Sequence, residues 1–195
     1  MHNVDIFFVQ QVNPMLVEFR IKNFRSLRDE QVLSLVASPD KSLLDTHALD
    51  TGLKAAPHLL KSTVVYGANA SGKSNLIKAL QYMRGVVLES AALPPGQTYD
   101  RLQPFKLDAT SANQPTEFEV TFLLAGVRYQ YGFAMNAQRI VSEQLLVYKA
   151  FKPQRWFARH FDSESGKDVY EFSTSLKGAK NLWEGATRPN ALFLA

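Results

Sequence analysis

Between Leu16 and Leu27 (LVEFRIKNFRSL) apolar and charged positions alternate, with Val17, Phe19 and Ile21 on one side and Glu18, Arg20 and Lys22 on the other. Period two predicts a half-buried strand. Glu30–Ser38 (EQVLSLVAS) repeats the alternation more weakly, so the two segments predict an antiparallel pair turning near Ser26–Asp29. Pro39–Pro57 is polar and rich in turn formers, a connection with room for one short helical turn. Lys61–Gly67 (KSTVVYG) is short, β-branched and closed by a glycine, the profile of a buried parallel strand.

From Ser74 the period changes. Leu76, Ile77, Leu80, Met83 and Val87 recur at three- and four-residue steps, which predicts an amphipathic helix of about four turns. Gly85 weakens its last turn, and Ala91–Gln97 (ALPPGQ) closes it. After Asp100 the pattern is β-rich. The run TEFEVTFLLAGVRYQYGFAM alternates on both sides of Ala125–Gly126, a hairpin signal, and RIVSEQLLVYK and RWFARHFDSESGKDVYEFS predict further strands joined by a polar DSESGK turn. This half reads as an antiparallel sheet distinct from the first. The last residues, RPNALFLA, start like a proline-initiated helix without a cap, and we expect the domain to continue past Ala195; a terminal strand docked in the sheet is the other reading.

Composition narrows the class. The chain has 195 residues, 46% of them hydrophobic, enough for one core or for one core with an appended subdomain. Its longest apolar stretches are too short to cross a bilayer. Met1–Pro14 lacks the tripartite pattern of a secretory signal; either it is an extension preceding a natural start at Met15, or Ile6–Val9 is one more short strand. The absence of cysteine excludes disulfides, thiolate metal sites and a cysteine nucleophile, and permits a cytoplasmic setting. His2, His47, His58 and His160 are scattered without metal-binding spacing. The formal charge of +4 allows an anionic ligand without requiring one.

The sharpest chemical signal is Gly67-Ala68-Asn69-Ala70-Ser71-Gly72-Lys73-Ser74, which matches the Walker A phosphate loop G-x-x-x-x-G-K-[ST] between an expected strand and an expected helix. Gly67 and Gly72 allow the main chain to turn its N–H groups toward phosphate oxygens, and the helix that follows adds its positive end. Lys73 supplies a point charge for the terminal phosphates of ATP, and Ser74 a hydroxyl for Mg2+. Hydrolysis needs in addition an acidic residue closing an apolar strand downstream. None is present; the nearest string, SLLDTHALD, precedes the loop and reads better as a loop. The ATPase machinery is therefore incomplete within these residues.

Two elements together, Asn23-Phe24-Arg25-Ser26 and Gly67–Asn75 with Asn69 and Asn75, give the chain a family resemblance. It resembles the ABC-like ATPases of the SMC and RecF type, and more closely the bacterial AAA-type core domain ATPases related to the OLD-family and phage-defence proteins. ATRPNALFLA is also similar to a stretch of the closer family. The resemblance implies an α/β fold: a P-loop NTPase sheet of ABC-like type with helices, plus an antiparallel β-subdomain. Residues 15–195 would form the N-terminal part of that domain, with the β-rich portion at about 100–175 and residues 1–14 as an extension. It further implies Arg25 and Ser26 beside the phosphates, and a glutamine loop for which Gln103 is a candidate against a plain strand-edge role. A signature serine from a second subunit, an acidic strand end and a switch histidine would lie past Ala195.

The leading expectation is ATP binding with Mg2+ and, in the complete protein, hydrolysis that drives head-to-tail homodimerisation and a switch acting on DNA or a nuclease partner. A different class, a nucleotide-gated DNA-binding or scaffold module with little hydrolysis, rests on the cluster Arg20, Lys22, Arg25 and Arg28, which a charged outer strand face explains equally well. A small P-loop kinase fits the sheet-rich second half poorly.

Overall fold

The computed structural model describes residues 14–149 and 152–195. The alternative strand at Ile6–Val9 lies outside them. The fold is mixed α/β, dominated by an antiparallel sheet with few helices. In chain order come β1 (Met15–Lys22), β2 (Gln31–Ser34), α1 (Leu44–His47), β3 (Ala48–Asp50), β4 (His58–Leu60) and α2 (Lys73–Glu89). Then follow α3 (Ala109–Ala112), β5 (Thr116–Leu124), β6 (Val127–Met135), β7 (Ile140–Tyr148), β8 (Gln154–Asp162), β9 (Lys167–Phe172) and α4 (Lys180–Ala186).

Seven strands make one sheet in the order β2-β1-β5-β6-β7-β8-β9, and β3 pairs with β4 in a small hairpin. β1 pairs along its length with β5, from Met15 opposite Leu123 to Lys22 opposite Glu117. The expected separation between the N-terminal strand pair and the β-rich half therefore does not hold. The reason is register: Phe19 and Ile21 stand opposite Val120 and Phe118, so joining the two extends one apolar face without a break. The β5–β6 hairpin turns at Ala125 and Gly126 with φ of 52° and 72°, the left-handed pair that a tight two-residue loop demands.

One face of the sheet carries the core. Phe19, Ile21, Phe118, Tyr131, Phe133, Leu145 and Phe157 are buried on it, beneath α2 and the chain's last residues. α2 contributes Ala79, Met83 and Val86 as its buried stripe, and Tyr82 stacks on Phe118 at 5.9 Å between centroids. The helix runs through Gly85 to Glu89; a Cβ at Gly85 would meet nothing within 4 Å, so that glycine reflects no packing constraint. No helix among the described residues is long and apolar enough to cross a membrane.

Two expectations fail. Lys61–Gly67 is not a buried strand: it carries no strand structure, and Val64, Val65 and Tyr66 are 67%, 43% and 87% exposed. A parallel strand needs neighbours running the same way on its flanks, and every strand pair among the described residues is antiparallel. Arg188–Ala195 forms neither helix nor strand. It is a strap over the sheet whose main chain is held by side chains instead: Phe193 and Leu194 donate their N–H groups to the Glu143 carboxylate, and Leu192 donates to Ser90 Oγ.

Candidate phosphate-loop site

The segment Gly67–Ser74 curls. Ser71 N–H donates to the Ala68 carbonyl at 3.2 Å, Ala70 lies at φ 63° and Gly72 at φ 96°, and α2 begins directly afterwards. Gly72 is the glycine that the geometry requires: a Cβ there would meet Leu27 Cδ2 at 3.0 Å and Ser26 Oγ at 3.2 Å, whereas one on Gly67 would stand 2.7 Å from Ser71 Oγ, an exposed hydroxyl that can rotate away. Gly72 therefore combines a left-handed backbone with a close approach, and Gly72→Ala violates both. We expect that substitution to weaken nucleotide binding and to cost about 1–3 kcal/mol of stability; urea denaturation with and without ATP checks it, and an unchanged midpoint contradicts the close approach.

The start of α2 is open. Gly72 provides no side-chain cap, and no acidic residue lies in the first turn. Among the described residues the N–H groups of Gly72, Lys73 and Ser74 have no acceptor. Such an end carries partial positive charge, and placing Lys73 there adds to it. The Lys73 ammonium folds back over the loop, donating to the carbonyl oxygens of Gly67 at 2.6 Å and Ala68 at 2.7 Å. Asn69, Ala70 and Ser71 are exposed around it, and Ser74 presents its hydroxyl to solvent in the first turn of the helix.

The Asn23–Arg28 turn packs against this loop. Asn75 Nδ2 donates to Ser26 Oγ at 2.8 Å, and Leu27 Cδ2 fills the space that a Cβ on Gly72 would take. Arg25 sits at φ 54° and its main-chain N–H donates to the carbonyl of Gln103 at 2.7 Å. Gln103 thus joins the turn through its backbone and belongs to no strand. Ser26 and Leu27 from the turn and Gly72 and Asn75 from the loop thus come together at the start of α2, with Arg25 next to them in the chain.

The other cations of the N-terminal cluster are differently placed. Arg20 bonds Glu18 at 2.6 Å and Glu30 at 3.0 Å, Lys22 bonds Glu117 at 2.9 Å, and Arg28 bonds Asp29 at 3.1 Å. Their charge is answered by the chain's own carboxylates, for Arg20 and Lys22 on the sheet's outer face and for Arg28 in the turn before β2. Among the described residues no group of three or more histidines or acidic residues could hold a metal ion.

Sequence reasoning missed a buried polar row at the far end of the sheet. Glu143 and Arg159, each 1% exposed, face one another across β7 and β8. Glu143 accepts from Tyr131 Oη at 2.9 Å, and Arg159 donates to Asp168 at 2.9 Å and to the Ala191 carbonyl at 2.7 Å. Burial pushes the Glu143 carboxyl above the ordinary carboxylate range, against the opposing pull of its donors and of Arg159. Burial likewise pushes the Tyr99 phenol up to about 12, keeping it a donor to the Asn190 carbonyl. The signal was in phase: Glu143 alternates with Leu145 and Val147, and Arg159 with Phe157 and Phe161.

The sequence model of a family described as "AAA domain, putative AbiEii toxin, Type IV TA system" matches residues 62–179, more than half of the chain. The match takes in the phosphate loop, α2 and β5 to β9. No curated protein matches the chain. The chain belongs to this AAA domain family and carries an AAA-type, ATPase-like domain, of the kind that generally binds ATP with Mg2+.

Proposed function

We propose that the chain binds ATP with Mg2+ through Gly67–Asn75, as the N-terminal part, residues 15–195, of an ABC-like P-loop ATPase domain related to the SMC, RecF and OLD-family proteins. The observation that carries this reading is the open, uncapped start of α2 behind a curled loop that ends on Gly72, a left-handed residue with no room for a Cβ. The free N–H groups cradle the phosphates, Lys73 exchanges its loop carbonyls for phosphate oxygens, and Arg25 adds a second cation. The exposed Ser74 hydroxyl suits Mg2+, a hard cation that keeps several of its waters. In the complete protein the bound nucleotide would be hydrolysed at a head-to-tail homodimer interface and would drive a switch acting on DNA or a nuclease partner in the cytoplasm. The family description supports a toxin–antitoxin or phage-defence setting.

The DNA-contact reading is the weaker, because Arg20, Lys22 and Arg28 are already paired with carboxylates. Titration of the chain with a fluorescent ATP analogue in Mg2+ tests the proposal. Saturable binding displaced by ATP and not by AMP is expected; absence of binding, or equal displacement by AMP, overturns it.

A further inference from the structure

We infer that Ser26 and Asn75 are a positioning pair: their mutual hydrogen bond clamps the Asn23–Arg28 turn to the phosphate loop and so fixes where the Arg25 guanidinium stands beside bound nucleotide. The inference rests on the ATP-binding reading above and gives those two residues a task other than touching the ligand. The bond joins side chains 49 residues apart at 2.8 Å, and it lies next to the contact of Leu27 and Ser26 with Gly72. Loop and turn therefore meet over two adjoining contacts, one polar and one steric.

The turn itself is stiff, so whatever holds Ser26 also holds Arg25. Phe24 and Leu27 exchange main-chain hydrogen bonds, each at 2.8 Å, and Asn23 N–H donates to the Arg28 carbonyl at 3.1 Å. Asn23 and Arg25 both adopt left-handed φ, 57° and 54°. Asn23 tolerates that conformation because its buried amide is fully used: Nδ2 donates to the carbonyls of Ser111 and Gln114, and Oδ1 accepts from Phe105 N–H. Phe24, 1% exposed, packs its ring on Tyr82 of α2 and on Phe118.

Arg25 is the odd member. Its guanidinium lies over the Phe24 ring, 5.5 Å from the centroid, but has no hydrogen-bonded or ion-paired partner among the described residues, and its Nε is buried without an acceptor. A cation without a carboxylate or carbonyl partner, on a turn anchored from three directions, is poised for an anion. The Ser26–Asn75 bond is the anchor nearest the phosphate loop. Losing it frees the turn to shift away from the loop without disturbing the Phe24 or Asn23 anchors.

Additivity in the chain tests the pair, read by titration with the fluorescent ATP analogue in Mg2+. Ser26→Ala and Asn75→Ala should each raise Kd about five- to tenfold, the loss of one hydrogen bond's positioning. The double variant should be no weaker than either single one. Arg25→Ala should weaken binding comparably, and adding Asn75→Ala to it should change little. Ser26→Thr, which keeps the hydroxyl, should restore wild-type affinity, with unfolding midpoints unchanged throughout. Multiplicative losses in either double variant, or a Ser26→Thr variant as weak as Ser26→Ala, overturn the pair while leaving ATP binding intact. A wild-type chain that binds no triphosphate overturns both the pair and the reading beneath it.

Discussion

Replacing Lys73 with alanine should lower ATP affinity about 100-fold while leaving the urea unfolding midpoint where it was. The affinity term follows from charge: a lysine reaching phosphate oxygens makes charge-assisted hydrogen bonds of about 1.5–3 kcal/mol, and each 1.4 kcal/mol is tenfold in Kd. The stability term follows from what Lys73 touches in the fold. Its ammonium bonds the exposed carbonyls of Gly67 and Ala68 and makes no ion pair among the described residues. Those carbonyls return to water when the side chain goes, so the net cost of folding is small. Titration calorimetry with ATP in Mg2+ and urea denaturation of the same preparations separate the two terms. An alanine variant that keeps its affinity removes Lys73 from the site; one that unfolds early gives it a packing role that its surroundings do not suggest.

The motif itself is local: glycine spacing, a lysine and a hydroxyl next to a helix-period run need no tertiary information, and of its two glycines Gly72 has the left-handed φ and the close neighbours that exclude a Cβ. Alternation likewise read β1 and the β5–β6 hairpin correctly, because one buried face imposes period two. What sequence could not give was pairing. Nothing in LVEFRIK names β5 as its neighbour, and the apolar run at Val64–Tyr66 cannot declare whether strands exist to flank it. The grouping of Ser26 with Asn75 was readable only through family resemblance, since no spacing rule connects residues so far apart. Arg188–Ala195 misled for a related reason: proline followed by apolar residues starts a helix only if the backbone has no better partners, and here Glu143, Ser90 and Arg159 supply them.

That buried row carries the largest stability effect we expect. Arg159→Met should destabilise the fold by about 3–5 kcal/mol, the range for breaking one partner out of a buried ionic cluster. Arg159 holds three groups together: the Asp168 carboxylate, the main-chain carbonyls of Arg188 and Ala191, and Glu143 at 3.9 Å. Methionine matches the bulk and satisfies none of them. Asp168 retains Arg139, but Glu143 is left desolvated with one cation fewer. The strap Arg188–Ala195 then loses the anchors on its Arg188 and Ala191 carbonyls, although Tyr99 still donates to the Asn190 carbonyl, Ile140 N–H to the Pro189 carbonyl, and Arg188 to the Ala91 carbonyl just past α2. Limited proteolysis should accordingly cut first in that strap, before any strand of the sheet. Adding Glu143→Leu to Arg159→Met should cost at least about 1 kcal/mol less than the sum of the two single changes, because the second substitution removes the charge that the first one strands. Urea denaturation of the four chains measures that coupling. Strict additivity would mean that the two residues, although opposite one another across β7 and β8, act on the fold independently.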